Sequence, residues 1–104
     1  MEGYSDVLKK QMIHGLDIEK KYIKFTMKKM FKVELAMIKK EIEQVKKKLE
    51  KLEKQHKMKS EVFIKKFNAG ELGDDKEYIQ WYAYADTHNK LTERAKGIEM
   101  VLND

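Results

Sequence analysis

Between Phe31 and His56 the apolar residues fall in alternating steps of four and three. Phe31, Leu35, Ile38, Ile42, Val45, Leu49 and Leu52 follow one another, and His56 closes the series. That seven-residue repeat draws one narrow apolar seam along an α-helix, whereas a strand would alternate every second residue. Lysine and glutamate fill most positions between, and neither glycine nor proline interrupts them. Glu43–Lys47, Glu50–Lys54 and Glu53–Lys57 are spaced i,i+4 in the favourable order, each worth about 0.2–0.5 kcal/mol. The stretch is therefore a long helix, and its seam needs a partner.

The chain supplies a second seam. Trp81, Tyr84, His88, Leu91, Ala95, Ile98 and Leu102 step by three and four. Laid antiparallel, the two seams register layer by layer: Trp81 on Leu52, Tyr84 on Leu49, His88 on Val45, Leu91 on Ile42, Ala95 on Ile38, Ile98 on Leu35 and Leu102 on Phe31. The fold class that follows is all-α, a long antiparallel coiled-coil helical hairpin with a short helix at its tip. At 104 residues, 39% charged, 41% hydrophobic and without proline, the composition fits a single helical domain over residues 1–104.

Punctuation divides the chain further. Residues 1–16 read as a short N-terminal helix with Tyr4, Val7, Leu8 and Met12 on one side, ending at His14-Gly15, and Asp17 is a candidate N-cap. The long helix then spans 17–58, a tip helix 60–69, and a third helix 74–103. Ser60 is the expected cap of the tip helix. Gly70 and Gly73 are expected to take positive φ and reverse the chain. Asp74 and Glu77 stand at capping-box spacing, with Asp in place of Ser or Thr. Val62, Phe63, Phe67, Leu72 and Tyr78 should form a small cluster under the turn.

Ile23, Met27, Met30 and Met37 form another apolar stripe beside the main seam, widened by Tyr22, Phe25 and Val33. So wide an apolar arc needs more than one neighbour. Either residues 4–14 fold back on it or a second copy of the chain covers it. The homodimer, assembling into a helical bundle, is the expected reading, with Ile23, Met27, Met30 and Met37 as its interface.

The net charge of +5 is unevenly spread. Residues 1–59 carry 17 lysines against nine acids, and residues 60–104 carry six basic residues against nine acids. The lysine runs 39–40 and 46–48 suit weak contact with a nucleic-acid backbone. Interleaved glutamates favour reading them as the solvated face of a coiled coil. Arg94 is the single arginine, which argues against a base-reading surface, because arginine is the usual bidentate reader of guanine.

Catalytic chemistry finds little footing. Glu53 and His56 have the Glu-x-x-His spacing of di-iron bundles, but one such motif is too few, and His88 falls about 16 Å along the seam from His56 at 1.5 Å per residue. The acids Glu71, Asp74, Asp75 and Glu77 lack the spacing of a calcium loop. Ser5 and Ser60 have no His–Asp arrangement near them. There is no cysteine to hold a metal or form a disulfide. The expectation is a non-enzymatic protein with no catalytic, metal or cofactor site. No apolar run is long enough to span a membrane and nothing resembles a secretory leader, so no membrane partner and a cytoplasmic location are expected.

Aromatic residues crowd the start of the third helix. Tyr78 and Tyr82 flank its seam and, with Asp75, are the candidate partner-binding residues, because tyrosine is enriched where proteins bind one another. The segment Phe63-x-x-x-Phe67-x-x-Gly70-Glu71-Leu72-Gly73-Asp74-Asp75-x-x-Tyr78-Ile79-x-Trp81-x-Ala83 resembles a group of small bacterial and archaeal helical proteins with a Phe…Gly-Glu-Leu-Gly-Asp-Asp…Trp signature. Some of that group are regarded as antitoxin-like. The resemblance covers about a fifth of the chain, and it implies a protein partner, such as a small toxin. No ribbon-helix-helix or helix-turn-helix motif accompanies it.

Overall fold

The computed structural model describes residues 2–104, with side chains from Asp6 onward, so the expected place of the Tyr4 side chain lies outside the described residues. Among these residues there are three α-helices and no strand: α1 (Glu2–His56), α2 (Ser60–Asn68) and α3 (Lys76–Leu102). The chain divides into two compact units, Met1–Glu34 and Leu35–Asp104.

The described residues of the first unit are helical throughout. The break expected at His14-Gly15 does not occur, and Asp17 is an interior helical residue, not a cap. A mid-helix glycine costs only about 1 kcal/mol relative to alanine. The flanking residues, Leu8 to Ile13 and Leu16 to Lys21, contain good helix formers and no proline. Nothing lies within 4 Å of where a Gly15 Cβ would stand, so no neighbour forces the chain to turn there.

The second unit is the hairpin. The part of α1 from Leu35 to His56 pairs with α3. Its direction is antiparallel: Lys39 reaches Glu99, Lys48 lies over the Tyr84 ring, and His56 meets Glu77. The seam positions are those withdrawn from solvent. Ile38, Leu49, Trp81, Ala95 and Ile98 are buried, and Leu35, Ile42, Val45, Leu52, Tyr84, His88, Leu91 and Leu102 are half-buried. Ala85 is buried as well, which broadens the α3 seam by one position beside Tyr84.

Two Schellman turns stop the helices before the reversal. At the end of α1, Lys57 takes φ 51°, and the Met58 N–H donates to the Glu53 carbonyl at 3.1 Å. At the end of α2, Gly70 takes φ 75°, the Glu71 N–H donates to the Lys66 carbonyl at 3.0 Å, and the Gly70 N–H to that of Phe67 at 3.1 Å. Both patterns satisfy carbonyls that a helix end leaves without partners. Gly73 also takes φ 75°, so both glycines of the turn hold the left-handed conformation that a Cβ resists.

The expected caps are placed otherwise. α3 begins at Lys76, and its N-cap is Asp75, with no side-chain cap bond. Asp74 lies one residue too early for the box, and Glu77 turns to His56 instead. The N-cap of α2 is Lys59, not Ser60, which is the first helical residue.

Candidate functional site

Trp81 organises the tip. Its side chain is 0% exposed, as is that of Phe63, and the two rings stack with centroids 4.0 Å apart and planes 3° from parallel. His56 stacks on Trp81 at 5.2 Å and tilts against Tyr78 at 5.6 Å. Leu52, Met58, Ile64, Phe67, Leu72 and Tyr78 pack round this centre. Four of the five residues expected in the tip cluster are therefore there. Val62 is not: it is exposed, because α2 turns Phe63, Ile64 and Phe67 inward and residue 62 lies on the other side.

A buried indole needs an acceptor. The Trp81 Nε1–H donates to Ser60 Oγ at 3.0 Å, and the Ser60 backbone N–H donates to Glu53 Oε2 at 2.7 Å. Glu53 thus caps α2 from the preceding helix. Ser60 is freed to serve α3, and one short chain of polar contacts links all three helices. This arrangement also accounts for the Glu53-x-x-His56 spacing. The carboxylate holds a backbone N–H and the imidazole stacks on the indole. No group of three or more metal-binding side chains converges among the described residues.

His56 Nε2 is shielded from solvent and lies 3.3 Å from Glu77 Oε1, without a well-aligned hydrogen bond. Along α3, Asp86 bonds and attracts the Lys90 ammonium at 2.9 Å, which holds that group's pKa above the usual lysine value.

The three partner-binding candidates separate. Tyr78 is half-buried against His56 and Phe63, so it belongs to the edge of the core. Asp75 is exposed at the start of α3. Tyr82 is 37% exposed, with its ring 5.3 Å from Phe67. Ile79 is exposed too and stands at i+4 from Asp75 and i−3 from Tyr82, on one face of α3. The i,i+4 and i,i+3 spacing in the sequence is the signal that places Ile79 on that face.

A much larger apolar surface lies in α1. Thirteen of the eighteen exposed large hydrophobic side chains fall between Val7 and Met37, and they include the interface candidates Ile23, Met27, Met30 and Met37. Within the hairpin unit the contrast is one residue wide: Ile38 is 6% exposed and Met37 is 60% exposed. No helix of the described residues is long and apolar enough to cross a membrane. No family model matches the chain, and no curated protein or solved structure is significantly similar to it.

Proposed function

We propose that this is a non-enzymatic protein that works by binding protein, through the apolar face of α1 between Met12 and Val33. The observation that carries the reading is the exposure, along one side of α1, of Met12, Leu16, Ile23, Met27, Met30 and Val33, six of the large apolar side chains that stretch leaves in solvent. Single exposed apolar residues are ordinary, but a contiguous apolar surface on a folded chain marks a contact site. The tip is a secondary surface, with Asp75, Ile79 and Tyr82 on one face of α3. The resemblance of the Phe63–Ala83 segment to a group of small helical proteins, some of them antitoxin-like, fits a role as the neutralising partner of a small toxin.

Capture from the native host tests this. The wild-type chain, Met30→Lys and Tyr82→Ala should be compared as baits, with bound proteins identified by mass spectrometry. Loss of the bound protein with Met30→Lys supports the α1 face, and loss with Tyr82→Ala supports the tip. Equal capture by all three would overturn both surfaces.

The alternative is a basic coiled-coil protein that holds nucleic-acid backbone through its lysines. Two lysines of the runs have partners within the hairpin unit, Lys39 at Glu99 and Lys48 over Tyr84, and both stay exposed. Such binding would fall steeply with added salt and show no sequence preference, because lysine supplies point charges without reading bases. Salt-resistant, sequence-selective binding would contradict it.

A further inference from the structure

The first part of α1 carries a repeat of its own. Met12, Leu16, Glu19, Ile23, Thr26, Met30 and Val33 follow in steps of four and three, and the spacing carries on to Met37. It shares no residue with the seam that α3 covers. Every one of these positions is exposed. A repeat of this kind is the pattern of a helix packed along one partner helix, with each side chain entering a hollow between four residues opposite. A shallow hollow is present on α1, lined by Glu19, Tyr22, Ile23, Thr26 and Met27.

The area to be covered is large. The chain exposes 8827 Å², against about 6,100 Å² for a compact monomer of 12.4 kDa. A standard interface takes only about 800 Å² from each partner. The twelve exposed large apolar side chains between Val7 and Val33 offer a stretch long enough for a contact of that size.

We infer that the occupant of this face is α1 of a second copy, lying antiparallel about a two-fold axis that passes between Ile23 and Thr26. The proposal deepens the protein-binding reading above and rests on it. The repeat is self-complementary in that direction. Leu16 meets Val33 of the second copy, Glu19 meets Met30, Ile23 meets Thr26, and the continuing spacing sets Met12 against Met37. Thr26 of the second copy faces the hollow beside Ile23.

Charge decides the direction. A parallel pair in register would set Glu19 against Glu19 of the second copy, two like charges inside the seam. The antiparallel pair sets Glu19 beside Met30 of the second copy, next to Lys29, a charge of the opposite sign. The flanks agree: Lys20 falls beside Met27 of the second copy and Tyr22 beside Lys29, with no like-charged pair. A single polar position that is tolerated in one orientation and penalised in the other is a known means of specifying how helices pair.

The chain has no cysteine, so an introduced thiol is unique. Leu16→Cys and Val33→Cys chains, one carrying a size tag, are prepared separately, mixed and oxidised. Both positions are exposed in the single chain, so neither change disturbs a core. The expected result is a disulfide between unlike chains and none within either preparation alone, because like positions lie 17 residues apart along the axis, roughly 26 Å at 1.5 Å per residue. A disulfide in the Leu16→Cys preparation alone would mean a parallel pair and overturn the proposal. A monomer by light scattering, with no disulfide in the mixture, would overturn it as well. If that monomer sedimented with vesicles of phosphatidylserine and phosphatidylcholine, the face would belong to a lipid surface. A monomer whose Met30→Lys variant loses its captured protein would leave the protein-binding reading standing without self-pairing. A monomer whose variant captures the same proteins as the wild type would remove both.

Discussion

Ser60 accepts the Trp81 indole proton and donates its own backbone N–H to Glu53, so a small residue at the first position of α2 serves two other helices at once. Ser60→Ala removes the acceptor and leaves a buried N–H without a partner. The expected loss is about 1–3 kcal/mol, read by thermal unfolding followed through the emission of Trp81, the only tryptophan. Glu53→Gln keeps an acceptor oxygen and should cost less than Glu53→Ala. Equal losses would show that the carboxylate bond to Ser60 contributes nothing. Asp74 forms no cap, so Asp74→Ala should shift stability by less than about 0.5 kcal/mol. A serine or aspartate next to a helix start predicts a local cap, but here neither Ser60 nor Asp74 is the capping residue. The bond that caps α2 spans seven residues and exists only because α1 ends in a tight turn.

At the scale of the helices, the ends are governed by backbone conformation. Lys57 holds φ 51°, a left-handed conformation that a Cβ resists. Lys57→Gly should therefore raise the melting temperature, by an amount corresponding to about 1 kcal/mol. Gly70→Ala should lower stability by about 1–2 kcal/mol, although nothing would touch the added Cβ. If the two changes moved stability in the same direction, the backbone account of these turns would be wrong. The register of α1 on α3 is tested by Ile38→Cys with Ala95→Cys, both buried positions of one expected layer. An intrachain disulfide is expected, since bridged Cα atoms lie within about 7 Å. Its absence, with the hairpin intact by circular dichroism, would shift the register.

Considered whole, the chain exposes far more apolar surface than its hairpin unit requires. Light scattering at micromolar concentration should give about twice the chain mass if the α1 face meets its like. Met30→Lys should return it to a monomer, because a charge would enter an apolar contact. Its Trp81 emission should stay unchanged, because the indole packs against Phe63 and His56. A wild-type monomer would contradict the dimer directly.

The seven-residue repeats by themselves determined the all-α class, the long helix, the third helix and their antiparallel pairing. A narrow apolar stripe has few ways to leave water, and two stripes of equal spacing in one chain most readily cover each other. Gly70 and Gly73 were legible for a similar reason, since a short reversal needs positive φ and glycine supplies it at least cost. Gly15 was misleading because a glycine permits a break without requiring one, and only neighbours decide. The Glu53–Ser60–Trp81 chain, the stacking of His56 on the indole and the outward side of Val62 depended on how three helices meet. Side chains distant in sequence come into contact there, and no local spacing encodes that. The tertiary structure also decided which apolar residues α3 leaves uncovered: it buries Ile38 and leaves Met37 in solvent, one residue away on the same helix.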